Sequence, residues 1–327
     1  MNSSKSSGDS GRKITAPRAR LRIQKILATT DLSNESIAGV RYAVALAKKV
    51  GASVALLHVV EFPPPPPMPG MRSVTLPLQD SKIAKQARVR LDKLAKRESR
   101  GGLKITPILH TGNSFHGIIM TARTRATDLI VIATHGYTGA KRVLLGSTTE
   151  RVVRHAPCSV LTVPVRTIPR RSGKMLLLKL KRIVVPIDFS EISKTALPWA
   201  TSLAAQSNAE LILLHVVEKF PIDYFLGYGL MNELFTPLMK DSEAALKQIA
   251  ENIGRSDQVK ASEKVRDGKP FKEICSVAQK LGAELIVLTT RGHSRLKYIW
   301  LGSTAERVVR HARCPVLVVR EPERKER

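Results

Sequence analysis

The sequence is poor in aromatic residues and in cysteine, and it contains no long apolar run. Phe, Trp and Tyr make up 4% of the 327 residues and do not interleave with the basic stretches, which argues against a stacking platform for single-stranded nucleic acid. Three cysteines are too few for a disulfide framework and lack the spacing of a metal site: Cys158, Cys275 and Cys314. No apolar run approaches the roughly 20 residues of a membrane-spanning helix, so no transmembrane segment is predicted.

The first residues of the chain lack the apolar core of a secretory signal. We therefore expect residues 1–21 to form a disordered basic tail and the protein to be cytoplasmic, with reduced cysteines. Hydrophobic residues make up 43% of the chain, and the mean hydropathy is -0.08. This composition and length are typical of two globular domains of ordinary size.

The formal net charge of +27 is concentrated in three stretches. Residues 1–25 carry a net charge of +6, residues 82–104 carry +7 and residues 166–182 carry +7. We interpret the first as a tail, the last as a linker and the middle one as an exposed helix face. Two interpretations stay open at this point: solvated charge, or a basic surface that attracts nucleic acid or acidic membranes.

One segment of the sequence occurs twice. LGSTTERVVRHAPCSVLTV at 145–163 and LGSTAERVVRHARCPVLVV at 301–319 are identical at fifteen of nineteen positions. Other matches, such as VALLHVVE with LILLHVVE, keep an offset of 156 or 157 residues, so a whole domain is duplicated. The predicted organisation has five parts: tail 1–21, first domain 22–165, linker 166–180, second domain 181–320 and charged tail 321–327.

Each copy alternates short apolar runs with amphipathic periods. Residues 24–30, 53–60, 104–110, 128–134 and 158–164 are continuous, β-branched runs typical of buried strands. The helices between them predict an α/β fold of two tandem doubly wound domains, each with a parallel sheet covered on both faces. Five consecutive prolines, Pro63–Pro67, predict a polyproline II segment, which we interpret as a lid or spacer or, alternatively, as a docking site for a proline-reading partner.

Small and polar residues precede the last helix of each copy. Gly146-Ser147 and Gly302-Ser303 open helices whose N-termini offer unpaired N–H groups, followed by the hydroxyls of Thr148 and Thr304. Asp31 and Asp188 follow the first strand of each copy, at the same edge of the sheet. This arrangement indicates a nucleotide pocket in each half, although the same residues could simply cap helices.

Together, the motifs DLS, LLHVVE and THG followed nine residues later by GSTTERVVRHAPCSVLTV closely resemble the universal stress protein family, and the second copy repeats them. The resemblance covers nearly all of both domains. It implies five parallel strands per domain in the order 3-2-1-4-5, with domains working as dimers or tandem pairs. It also implies binding of ATP, with Mg²⁺ reaching the site through the phosphates.

Carried over position by position, the family's nucleotide site implies a matching set of residues in each half. In the first half these are Asp31, Val59, Ala133, Gly136, Gly146, Ser147 and Thr148. In the second half they are Asp188, Val216, Thr289, Gly292, Gly302, Ser303 and Thr304. The chain departs from the family pattern at Ala133 and Thr289, where the motif has its first glycine, and Thr289 is the bulkier replacement.

The sequence contains no nucleophile elbow, metal cluster or pair of carboxylates placed for acid–base catalysis. The leading hypothesis is therefore a non-enzymatic stress-response regulator that binds ATP or a related nucleotide and at most hydrolyses it slowly. One alternative is an interaction protein with vestigial pockets. Another is a nucleic-acid or membrane-surface binder that uses the basic tail, linker and helix. Pairing of the two domains and a further homodimer are expected.

Overall fold

The computed structural model describes residues 23–61, 82–99, 102–134, 145–165, 178–218, 228–290 and 302–320. Its strands are β1 Lys25–Thr29, β2 Ser53–Val60, β3 Ile105–Thr111, β4 Leu129–Ala133, β5 Ser159–Val163, β6 Arg182–Pro186, β7 Glu210–Val217, β8 Ala261–Asp267, β9 Leu285–Thr289 and β10 Val316–Val319. Its helices are α1 Asn34–Val50, α2 Lys82–Glu98, α3 Ser114–Thr124, α4 Ser147–His155, α5 Glu191–Lys194, α6 Ala196–Ser207, α7 Tyr228–Asp257, α8 Pro270–Lys280 and α9 Ser303–His311. The predicted tails, most of the linker and the Pro63–Pro67 segment lie outside these ranges.

All ten strands belong to one sheet, in the order β3-β2-β1-β4-β5-β10-β9-β6-β7-β8. Within each half the strands are parallel and follow the expected order 3-2-1-4-5. The two halves meet where β5 pairs antiparallel with β10. Parallel strands need helical crossovers, and these crossovers cover both faces of the sheet.

The junction between the halves has an approximate twofold axis. Leu161 lies opposite Leu317, its own counterpart in the repeat, as an isologous contact requires. Two apolar clusters, one on each face of the sheet, contain buried residues from both halves. The halves therefore share their cores and do not form two separately closed domains.

Four charged side chains bridge α4 and α9 across this axis, and we call them the charge quartet: Glu150, Arg154, Glu306 and Arg310. Arg154 Nη2 lies 3.2 Å from Glu150 and 3.3 Å from Glu306. Arg310 Nη2 lies 3.1 Å from Glu306 and 3.5 Å from Glu150. Each arginine thus contacts one carboxylate of its own helix and one of the other half.

Arg320, directly after β10, adds a contact that the repeat does not reproduce. Its Nη2 donates to the carbonyls of Val153 and Arg154 at 3.2 and 2.7 Å, and its backbone N–H donates to Ser159 Oγ at 3.1 Å. A guanidinium at the C-terminus of α4 favours the negative end of the helix dipole. The counterpart position in the first half is Pro164, so these Arg320 hydrogen bonds have no equivalent there.

Local signals in the sequence set the ends of the first helix. Ser33 is the N-cap of α1, and its side chain accepts a hydrogen bond from the N–H of Ser36. Gly51 ends the helix in the left-handed conformation at φ 72°. In α2, the helical period predicts one apolar face through Ile83, Ala87 and Leu91; Ala87 and Leu91 are buried as this predicts, but Ile83 at the first turn is 60% exposed. No helix in the described ranges is both long and apolar enough to cross a membrane.

Candidate functional site

A cavity of about 610 Å³ opens at the carboxyl edge of β1 and β4 in the first half. Its volume lies within the range typical of small-molecule sites. The structure brings together in its lining every described residue of the predicted first-half site: Asp31, Val59, Ala133, Gly146, Ser147 and Thr148. Gly136 and Gly292 lie outside the described residues.

Asp31 sits in a tight turn between β1 and α1. Its Oδ1 accepts hydrogen bonds from the N–H of Ser33 at 3.0 Å and from Ser33 Oγ at 2.5 Å. Leu32 between them has φ 64°, a left-handed conformation that is uncommon for a leucine and is characteristic of constrained turns at functional sites. The turn therefore holds the Asp31 carboxylate at the mouth of the cavity while Ser33 caps the helix.

His58 fastens this turn to the neighbouring strand. Its Nδ1 donates to the carbonyl of Thr30 at 2.8 Å. Burial lowers the pKa of His58 below its usual value, while the bond to Thr30 and the charge of Asp31 partly oppose this shift. The imidazole is therefore neutral and structural, as its position inside an apolar strand suggests.

The N-terminus of α4 forms another wall of the cavity. Gly146 is the N-cap of α4, as the alternative in which Gly-Ser-Thr caps the helix expects, and the helix has no side-chain capping bond there. The Gly146 N–H donates to the Thr134 carbonyl at 3.0 Å, and a Cβ built at Gly146 would lie 3.3 Å from that same oxygen. Any side chain at this position would therefore crowd the Thr134 carbonyl, although the φ of -58° is open to any residue.

Two further contacts position this helix and the strand before it. Thr149 Oγ1 donates to the Ala133 carbonyl at 2.9 Å and is buried. A Cβ at Gly39 of α1 would lie 3.3 Å from the backbone nitrogen of Ala133, so α1 approaches the end of β4 closely. The first turn of α4 is therefore held in place, with Ser147 exposed and the dipole's positive end facing the cavity.

Sequence reasoning missed six polar residues of the lining: Thr29, Thr30, Ser36, Glu61, Ser114 and Thr149. Glu61 follows β2 and accepts a hydrogen bond from the N–H of Ser114 at 2.7 Å, at the start of α3. The available signal was a carboxylate at the end of a second parallel strand, at the same edge as Asp31. The cavity thus has a helix N-terminus suited to an anion and two carboxylates suited to hydroxyl or amino groups.

The second half repeats the turn. Asp188 Oδ1 accepts from the N–H and the hydroxyl of Ser190 at 3.0 and 2.6 Å, and Phe189 has φ 64° like its counterpart Leu32. His215 Nδ1 donates to the Ile187 carbonyl at 2.7 Å. Asp188 is therefore held in the same way as Asp31.

The α9 end of the second site also matches the first in outline but has bulkier neighbours. Gly302 is the N-cap and has no side-chain capping bond, and its N–H donates to the Thr290 carbonyl at 2.6 Å. Ser303 is exposed, Thr304 is half-buried, and Val216 lies near the end of β7. The lining positions that change relative to the first half include Ile187 for Thr30, Thr289 for Ala133 and Ala305 for Thr149.

Comparison with known proteins agrees with this description. The chain matches the universal stress protein family over residues 22–164 and again over 179–320. It is 37% identical over 150 residues to universal stress protein MJ0531 from Methanocaldococcus jannaschii, covering 44% of this chain and 84% of that protein. It is 32% identical over 151 residues to universal stress protein YxiE from Bacillus subtilis, covering 42% of this chain and 98% of that protein.

A solved structure matches both halves at once. The crystal structure of a universal stress protein from Archaeoglobus fulgidus covers 92% of this chain and 98% of its own, with a TM-score of 0.67 and 23% identity. At this identity the likeness shows the fold alone. The two family matches show more: the chain belongs to the universal stress protein family and carries its domain in two tandem copies.

Proposed function

We propose that the protein is a regulator that binds ATP or a related nucleotide in the cavity of its first half. The observation that carries this proposal is the convergence of Asp31, Val59, Gly146 and Ser147 around one cavity of about 610 Å³. These residues come from three separate parts of the chain. Helix capping alone does not require them to surround one cavity of ligand size, whereas ligand binding does.

Each wall of the cavity suits one part of a nucleotide. The phosphates fit the N-terminus of α4, where Gly146 allows close approach and Ser147 and Thr148 add hydroxyls. The Asp31 carboxylate suits the ribose hydroxyls, and the backbone at Val59 lies where the base would be read. When bound, Mg²⁺ would enter with the phosphates and neutralise part of their charge.

The role we propose is regulatory and not catalytic. The cavity lining contains no histidine or lysine among the described residues, and the Asp31 carboxylate already accepts two hydrogen bonds from Ser33. A general base needs a favourable pKa and free access to the attacking water. We expect hydrolysis of ATP to be slow at most and occupancy of the cavity to be the signal.

The two halves are expected to differ in affinity. Ile187 and Thr289 fill space that Thr30 and Ala133 leave in the first half, and Ala305 cannot make the bond that Thr149 makes to β4. These changes favour the alternative of a vestigial pocket, one that no longer binds nucleotide, for the second half only. We therefore expect the first half to bind nucleotide more tightly.

The test is calorimetric titration of the full chain with ATP, using Ser147→Asp and its matched control Ser303→Asp. Both serines are exposed first residues of a helix, so an aspartate there stabilises the fold by about 0.3–1 kcal/mol. The same charge repels phosphate, so we expect Ser147→Asp to weaken ATP binding at least about tenfold. Gly146 is a poorer choice because any Cβ meets the Thr134 carbonyl.

A stable Ser147→Asp variant that has lost ATP binding, beside a Ser303→Asp variant that binds like the wild type, supports the proposal. Because the aspartate stabilises the helix, lost binding cannot be attributed to unfolding. Wild-type protein that binds no ATP would overturn the proposal in favour of vestigial pockets. Loss in Ser303→Asp alone would move the site to the second half.

A further inference from the structure

The outward face of α2 carries a straight row of cations. Lys82, Lys85, Lys93 and Lys96 follow the spacing i, i+3, i+11 and i+14, which places them on one stripe about 21 Å long. All four are exposed, whereas the opposite face of the helix is buried against the core through Ala84, Ala87, Leu91, Leu94 and Ala95. We call these lysines the lysine stripe.

The fold does not require this charge, because the repeat offers a matched helix without it. The buried positions of α2 line up with those of α7 at an offset of 155, as Ala87, Leu91 and Ala95 do with Ser242, Leu246 and Ala250. Residues 82–98 hold seven basic and two acidic residues, a net of +5. The matched residues 237–253 hold two basic and three acidic residues, a net of -1.

Neighbouring acids do not neutralise the stripe. Asp92 pairs with Arg88 at 3.1 Å, and Glu98 is shared between Arg97 and Arg41 at 2.9 and 3.5 Å. Across the ranges that the structure describes, no ion pair involves a lysine of the stripe. Its charge is therefore available to an external partner.

Apolar side chains accompany the lysines. Val89 lies on the stripe itself, at i+7, and is 51% exposed, while Ile83 at the first turn is 60% exposed. The helix packs over β2 and β3, and β3 is an edge of the ten-stranded sheet. The stripe is therefore a convex, outermost surface on which one exposed apolar side chain, Val89, lies between two pairs of lysines.

We propose that the lysine stripe binds an anionic lipid surface. A flat bilayer can meet a straight row of lysines along its whole length, and exposed Val89 on the stripe can enter the boundary between headgroups and acyl chains. Duplex or single-stranded nucleic acid fits less well. No aromatic residue lies on α2 for base stacking, the stripe uses lysine where bidentate phosphate contacts favour arginine, and apolar side chains gain nothing against phosphates.

The test is co-sedimentation of the full chain with phosphatidylcholine vesicles that contain or lack phosphatidylserine. The two variants compared are Lys93→Gln/Lys96→Gln on α2 and the matched control Lys240→Gln/Lys247→Gln on α7. Both remove two exposed positive charges from equivalent helices and leave the basic tail and linker untouched. Since each lysine near an anionic surface contributes roughly fivefold in affinity, we expect the α2 variant to bind about 25-fold more weakly. The control should change binding less than about twofold.

Equal losses in both variants would overturn the proposal, because net charge alone would then explain binding. Failure of the wild type to prefer phosphatidylserine vesicles would also overturn it. A third variant, Val89→Ser, separates the two macromolecular partners, since it should weaken vesicle binding without changing binding to duplex DNA. If duplex DNA binding depends on the lysine stripe and vesicle binding does not, the surface is a nucleic-acid site.

Discussion

The charge quartet offers a direct test of how the two halves are held together. The perturbation is a double-mutant cycle on the contact between Arg154 and Glu306, using Arg154→Met, Glu306→Gln and the double variant. The two groups lie 3.3 Å apart across the junction, and their side chains are 38% and 26% exposed. Each single variant breaks two contacts of the quartet, whereas the double variant breaks three, so the cycle isolates the contact of Arg154 with Glu306.

The expected magnitude follows from that partial exposure. A fully buried pair would be worth several kcal/mol before desolvation, but solvent screens groups that are a quarter to two fifths exposed. We therefore expect a coupling free energy of about 0.5–1 kcal/mol at low salt, falling towards zero at about 1 M salt, where the Debye length is about 3 Å. The mirror contact, Arg310 with Glu150, should couple more weakly because its distance is 3.5 Å.

The assay is urea unfolding followed by far-UV circular dichroism. Because the two apolar clusters run through both halves, we expect one cooperative transition for the wild type and all variants. A coupling free energy of zero at low salt would refute the stabilising role of the junction contact. Two separate transitions would refute the inference that the halves share their cores.

Other consequences can be measured on the same protein. Because the pKa of His58 is lowered in the folded state, the unfolded chain binds more protons than the folded chain as the pH falls. The contribution of the neutral His58 side chain to stability is therefore present above about pH 6.5 and is lost as the pH falls through the folded-state pKa. The free energy of unfolding should therefore fall less steeply towards pH 5 in His58→Asn, whose amide nitrogen can replace Nδ1, and identical slopes would contradict this. Burial raises the pKa of all three thiols, to about 12 for Cys158, about 11 for Cys275 and about 12 for Cys314. Because the thiolate is the reactive form, iodoacetamide should alkylate these cysteines at least about tenfold more slowly in native than in unfolded protein. Rapid alkylation of any one of them in the native protein would contradict this expectation and indicate an accessible, reactive thiol.

Much of the candidate site could be predicted because its parts are local or repeated. Strand-end carboxylates and a glycine before a helix can be recognised in short windows, and parallel topology brings strand ends to one edge. Glu61 is also a strand-end carboxylate, but it was missed because its place in the lining depends on the contact with Ser114 from α3. The exposure of Ile83 was missed because periodicity places a residue on a face but does not say where the covering surface stops.

The sequence by itself determined the duplication, the α/β class and the ends of α1, because these depend on periodicity, on internal identity and on single capping residues such as Ser33 and Gly51. Only the tertiary structure decided that β5 and β10 join ten strands into one sheet with Leu161 opposite Leu317. It also decided that Gly146, the N-cap of α4, lies so close to the Thr134 carbonyl that a side chain there would crowd it. These features depend on contacts between segments far apart in the chain, where register and distance are set by packing that no local window contains.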